Sequence, residues 1–304
     1  MVAMGRHFER HPAGSIGEMN RIMEEKFTGR RIDEIPSGAA TAVERAQDLC
    51  YEAFEARGRR KVHLARQALE VCGDCADAYV ILAEAASEPQ EKMRLYGEGV
   101  AAGERALGPE RFEERDAPFW GDAKTRPFMR ALEGLAMCCV EAGRADEGIA
   151  HYQRLLQLNP NDNQGVRYVL AGLLLEKGDD AAVGRLVRDY QDDAGPALAY
   201  AAALLRFRAS GDSVASRRAL ERAVKLNRFV PPLLLGRARI SDSLPDSYRL
   251  GSREEAVATA HELRDSWKLT PGALEWLRGR TPKRTRISAG RSRSIHPPTG
   301  RHPI

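Results

Sequence analysis

The stretch Met129 to Asp162, MRALEGLAMCCVEAGRADEGIAHYQRLLQLNPND, decides the fold. In it Leu132, Leu135, Ala136 and Cys139 recur at spacings of three, one and three, which places them on one face of an α-helix. Gly143 then breaks the pattern, and glycine is the residue type that tolerates the positive φ at which helices commonly end. Gly148, Tyr152, Leu155 and Leu156 align along a second helix, and Asn159 with Pro160 closes it because proline cannot continue a helix. The whole stretch reads as a helical hairpin.

The same unit recurs on both sides. The loop glycines Gly143, Gly178 and Gly211 follow one another at close to one hairpin length. Val169, Leu170, Leu173 and Leu174 precede Gly178, with Val183, Leu186 and Val187 after it; Tyr200, Ala203, Leu204 and Phe207 precede Gly211, with Ala219, Leu220, Ala223 and Leu226 after it. Upstream, Ala78, Tyr79, Leu82 and Ala83 anticipate the pattern of Ala131, Leu132, Leu135 and Ala136. The offset between these two sets exceeds one repeat by the length of the segment Pro109 to Pro127, which therefore reads as an insertion. Val43 to Glu55 and Val62 to Val71 read as an earlier hairpin, so Cys72, Gly73, Asp74 and Cys75 fall in the turn between repeats. After Pro232 the repeat stops. Leu233 to Gly236 is a short apolar segment, Ser241 to Ser252 reads as loop, and Glu254 to Trp267 is amphipathic. Thr270 and Pro271 are expected to open a last helix, as N-cap and first helical residue.

The hairpin unit resembles the tetratricopeptide repeat in Leu132, Leu135, Ala136, Cys139, Gly148, Tyr152 and Pro160, and departs from it at Leu155. A closer resemblance runs from about Met19 to Arg278. It is carried by Phe119 to Arg130, Asn159 to Arg167, Leu234 to Arg237 and Thr270 to Leu277, and it is to bacterial tetratricopeptide proteins related to the suppressor of tumorigenicity protein seven family. These resemblances imply an all-α fold, a right-handed superhelix of helical hairpins with a C-terminal helical cap. They assign no activity.

The expected organisation is an N-terminal segment 1–37 with a short helix, a repeat domain 38–278 with insertion 109–127 and cap 233–278, and a loose tail 279–304. The residues before Met19 lie outside the closer resemblance, which leaves Met1, Met4 and Met19 as candidate starts. The 304 residues are 43% hydrophobic and 30% charged, ample for a core. No apolar run approaches the ~18 residues that cross a bilayer, and the first residues lack a signal peptide's apolar segment, so a cytoplasmic location and no membrane contact are expected. The net charge of +4 conceals an asymmetry: Gly279 to Ile304 holds seven basic residues and no acid, leaving the rest at −3. With four prolines and little that is apolar, this tail reads as disordered, either a solvated extension or a weak contact for nucleic acid or an acidic partner.

Enzyme signatures are wanting. There is no phosphate-binding loop, dinucleotide fingerprint, nucleophile elbow or H-E-x-x-H; His261 and Glu262 begin the last of these, but Asp265 stands where its second histidine belongs. His63, His151 and His261 read as structural or surface residues on helices. Cys72 and Cys75 form C-x-x-C, yet no second ligand pair accompanies them for zinc, and an odd total of five cysteines argues for free thiols. No catalytic residue, metal or cofactor is assigned. The favoured reading is non-catalytic docking of a partner protein or peptide in the groove of the superhelix; the alternatives are binding of nucleic acid or an acidic partner through the tail, and an enzyme whose site carries no recognised signature. Arg126 and Arg130, beside the aromatics Phe112, Phe119, Trp120 and Phe128 of the insertion, are one candidate surface, although these rings serve equally to plug a gap between hairpins. Asn161, Asn163, Arg167 and Tyr168 are the other, because tetratricopeptide grooves often hold peptides with Asn and basic residues. Asn163 is equally an N-cap.

Overall fold

A computed structural model describes residues 15–26, 28, 41–113, 119–240 and 247–281. Most of the basic tail, and its expected disorder and nucleic-acid contacts, lie outside the described residues. Every regular element among them is helical. The chain divides into two compact units, residues 1–167 and 168–304.

The first unit holds α1 (Ile16–Lys26), α2 (Ala42–Glu55), α3 (Arg59–Val71), α4 (Ala76–Ala85), α5 (Pro89–Leu107), α6 (Pro109–Glu113), α7 (Arg126–Glu141) and α8 (Ala145–Leu158). The pairs α2 with α3, α4 with α5 and α7 with α8 pack as hairpins. Thr41 starts α2 through a capping box with Glu44, each side chain bonding the other's backbone N–H. In the α7–α8 hairpin the small residues do the expected work: a Cβ on Gly148 would stand 3.0 Å from the Ala136 carbonyl and 2.5 Å from a Val140 methyl, so only glycine permits this approach. Leu155, where the repeat pattern departs, is fully buried nonetheless.

The described rings of the insertion pack against the hairpin that follows it. Phe112, Phe119 and Phe128 form a ring cluster with centroids 5.1 to 6.2 Å apart, and Arg154 lies over the faces of Phe112 and Phe128. Phe119 and Phe128 are buried, so of the two readings of these rings the plug describes these three. The Cys72 to Cys75 segment is the turn expected of it, with Cys72 capping the end of α3 and Cys75 the start of α4.

The second unit holds the rest of α9 (Val166–Lys177), then α10 (Asp180–Asp189), α11 (Pro196–Ser210), α12 (Val214–Leu226), α13 (Val230–Leu234), α14 (Arg253–Leu269) and α15 (Ala273–Arg280). The three loop glycines all adopt positive φ: 75° at Gly143 in the first unit, 78° at Gly178 and 57° at Gly211 in the second. The segment Arg253–Arg280 packs on α11: Trp267 of α14 and Trp276 of α15 stack with centroids 6.1 Å apart, and Phe207 stacks on Trp276 at 4.6 Å. It also reaches α9, where the Ser266 hydroxyl donates to the Gly172 carbonyl.

One expectation fails here. Thr270 ends α14 instead of capping α15; its hydroxyl donates to the Ser266 carbonyl 2.8 Å away and accepts from Arg208 Nε. The last helix starts only after Gly272, whose φ of 76° makes the reversal that Thr270 and Pro271 cannot.

Candidate functional site

In the first unit, the residues singled out by the sequence are mostly engaged in holding their own neighbourhood. Arg130 donates from Nε and Nη2 to the two carboxylate oxygens of Asp77, which is wholly buried and also accepts from Gln47 Nε2 at 2.6 Å. Burial works against the charged form of Arg130, but the hydrogen bonds and charge of Asp77 outweigh it and hold the guanidinium above its ordinary range. This guanidinium also lies over the Phe54 ring, 5.7 Å from the centroid. Arg167 donates to the buried carboxylate of Asp162, which in turn accepts from the backbone N–H groups of Val166 and Arg167 and so caps the start of α9. Asn163 is therefore not that cap; Asp162 is. Asn161 and Asn163 are exposed. Arg126 stacks on Trp120 at 5.2 Å and donates to its carbonyl.

Tyr168 belongs to the second unit and borders a different surface. Its hydroxyl donates to Asp193 Oδ1 at 3.0 Å, an oxygen that also accepts from the Gly195 backbone N–H. Asp193 edges a groove of about 530 Å³ formed by α10, α11 and α12. The groove has an apolar floor that includes Leu198, Ala199, Ala202 and Ala219, and four exposed arginines around it: Arg188, Arg206, Arg218 and Arg222.

The electrostatics of these four differ from those of Arg130 and Arg167. Arg206 donates to the Ala202 carbonyl and Arg222 to the Gln191 carbonyl, both neutral acceptors. None of the four forms an ion pair with a carboxylate among the described residues. Among the described residues Asp193 is the single acid lining the groove, and its Oδ1 accepts from Tyr168 and Gly195. Four like charges over a dry, small-residue floor create a positive potential that an anionic ligand would relieve.

These arginines carry no repeat signature and were not among the expected site residues. The available signal was local: Arg218 and Arg222 lie four residues apart on α12, on the same face as Ala215 and Ala219, so a small apolar stripe is flanked by basic side chains. Among the described residues no group of three or more His, Cys, Asp or Glu is arranged to hold a metal, and no helix is long and apolar enough to cross a membrane. His151 is partly buried, and that burial, with Arg154 nearby, holds its imidazole below the ordinary histidine range.

The family model described as ST7 protein matches residues 40–282, which takes in everything from α2 to α15. The chain belongs to the ST7 family. Among its relatives, Suppressor of tumorigenicity 7 protein-like of Homo sapiens is 31% identical over 242 residues, covering 71% of this chain and 42% of that protein. The protein of the same name from Bos taurus is 31% identical, with 71% and 43% covered. Protein ST7 homolog of Drosophila melanogaster is 28% identical over 243 residues, with 72% and 45% covered. The chain thus spans less than half the length of these ST7 relatives. Their names state no reaction and no ligand, so the chemistry of the groove has to be argued from its own side chains.

Proposed function

We propose that this ST7-family chain is a non-catalytic scaffold of tetratricopeptide-like hairpins that docks an acidic segment of a partner protein in the α10–α11–α12 groove, acting in the cytoplasm. The single observation that carries the reading is the set of four exposed arginines around an apolar floor, with no carboxylate paired to any of them among the described residues. Carboxylates of a partner would meet the guanidiniums in paired, charge-assisted hydrogen bonds, while its apolar side chains would cover Leu198 and the alanines. Recurring two-helix units with glycine turns support the hairpin scaffold, since each such unit buries its flank only against a neighbour. Arg126, Asn161 and Asn163, in the first unit, are a separate set of polar contacts for a partner; Arg130 and Arg167 contribute by holding their helices.

Fluorescence anisotropy with a labelled synthetic peptide of alternating Glu and Leu tests the reading, with the Gln-for-Glu peptide as control. Binding of the acidic peptide alone, weakened about tenfold by Arg218→Glu with Arg222→Glu, is the expected result. Equal binding of both peptides, or indifference to the charge reversal, overturns it.

A further inference from the structure

The C-x-x-C pattern draws attention to Cys72 and Cys75, but the fold pairs Cys75 with a different thiol. Cys50, in the middle of α2, lies with its Sγ 3.5 Å from Cys75 Sγ, although the two stand far apart in the chain. Both are free and buried in the core formed by α2, α3 and the start of α4. We propose that Cys50 and Cys75 are a redox-active thiol pair, which a peroxide converts to an intramolecular disulfide tying α2 to the turn between α3 and α4.

Three features carry this. The first is distance: a disulfide needs the sulfurs at about 2.05 Å, so a shift of under about 2 Å closes the bond. The second is asymmetry. The two thiols share one hydrogen bond, and Cys75, at the N-cap position of α4, also lies within reach of the Gln47 side-chain oxygen, a hydrogen-bond partner that Cys50 lacks among the described residues. The bond shared with Cys50 lowers the Cys75 thiol despite its burial and the nearby Asp77 charge, while the same bond and burial raise Cys50. The third is position: Cys75, itself buried, is two residues from the exposed Gly73 at the end of a short surface turn, and opening of that turn is the required route for a small oxidant. Cys138 and Cys139 have none of these features; burial raises both thiols.

The chemistry balances with hydrogen peroxide as oxidant. The Cys75 thiolate attacks one peroxide oxygen, the O–O bond breaks, and hydroxide leaves and takes a proton to become water, giving a sulfenic acid on Cys75. Cys50 sulfur then attacks that sulfur, the S–O bond breaks, and the departing hydroxide takes the Cys50 proton as a second water. Two thiols are oxidised and one peroxide is reduced to two waters.

The test is peroxide treatment of the full chain, followed by alkylation under denaturing conditions, intact mass and peptide mapping. The expected product has lost two hydrogens, shows three alkylated cysteines in place of five, and carries a Cys50–Cys75 linkage that dithiothreitol reverses. In Cys50→Ala, which keeps the site small and apolar, the sulfenic acid persists on Cys75 and is trapped there by dimedone. A Cys72–Cys75 linkage in the wild-type chain, oxygen added without a cross-link, or no change under conditions that oxidise free cysteine overturns the proposal. So does dimedone label at Cys138 or Cys139 instead of Cys75.

Discussion

Arg130 on α7 grips Asp77 on α4 with two hydrogen bonds, Nε to Oδ1 at 2.8 Å and Nη2 to Oδ2 at 2.6 Å, joining two helices distant in sequence. The Asp77 side chain has no exposed surface, whereas about a third of the Arg130 side chain meets solvent. A buried carboxylate stripped of its cation keeps its desolvation cost and loses its compensation. Arg130→Ala is therefore expected to destabilise the chain by about 3 kcal/mol, toward the low end of the range for buried pairs because Gln47 still donates to Asp77. Removing both charges, as Asp77→Ala with Arg130→Met, leaves no uncompensated buried charge, only the neutral Gln47 amide without its acceptor, and is expected to cost less than Arg130→Ala alone. Urea unfolding of the three proteins measures this directly, and a double variant less stable than the single one would contradict it.

A second prediction concerns the seat of the cap. A Cβ added to Gly172 on α9 would lie 2.3 Å from the backbone carbonyl oxygen of Glu262 on α14, and backbone cannot swing aside as a side-chain tip can. Gly172→Ala should cost about 2 to 3 kcal/mol through this overpacking. Gly178→Ala meets no atom and suffers only its positive φ, about 1 to 2 kcal/mol. Denaturant midpoints that reverse this order would place the α9–α14 contact elsewhere.

These two sites show what the sequence could and could not disclose. The hairpins were legible because each helix carries its apolar residues at helical spacing and each turn carries a glycine, both of which are local signals. Phe112, Phe119 and Phe128 pack as one of the two readings of these rings had them. Thr270 was misread because Thr-Pro is a strong helix start by propensity, and the competing bond from its hydroxyl to Ser266 exists only once α14 extends to Leu269. Asp77 carries no sequence mark of burial, since its partners Gln47 and Arg130 lie on other helices far along the chain. Arg188, Arg206, Arg218 and Arg222 converge from three helices, and their lack of carboxylate partners among the described residues is a property of the folded surface that no spacing rule reports. For the same reason Arg130 and Arg167, basic residues in suggestive places, gave no hint in sequence that each is held by an internal carboxylate.

Glu133 on α7 supplies a pH prediction. Burial raises its carboxyl above the ordinary glutamate range, partly countered by the hydrogen bond donated by Gln164 Nε2. A group whose folded value is raised binds its proton more tightly in the folded chain, so stability rises as pH falls through that folded value toward the unfolded one. Wherever this carboxyl is ionised in the folded chain, its burial is a net cost. Glu133→Gln should therefore raise the melting temperature at neutral pH, and this advantage should shrink as the pH is lowered into the ordinary glutamate range. A Glu133→Gln variant that melts earlier than wild type at neutral pH would show the Gln164 contact to outweigh the burial.

The groove makes the last prediction, one of ionic strength. Its four arginines are exposed, so their attraction for an acidic peptide acts partly through solvent and is screened over a Debye length of about 8 to 10 Å at physiological salt. The apolar floor of Leu198, Ala199, Ala202 and Ala219 is indifferent to salt. Affinity for the Glu-Leu peptide is therefore expected to fall steadily with added salt but to level at a residual, floor-dependent value. Arg188→Gln with Arg218→Gln should flatten the salt dependence, because each substitution removes a charge that participates in it, while Ala202→Asp should abolish the residual binding by placing a charge on the floor. Anisotropy titrations across a salt series separate the two contributions. A slope unchanged in the Arg188→Gln, Arg218→Gln protein would mean that the peptide is held by other cations of the chain, and the basic residues beyond Arg280 would then be the first to delete.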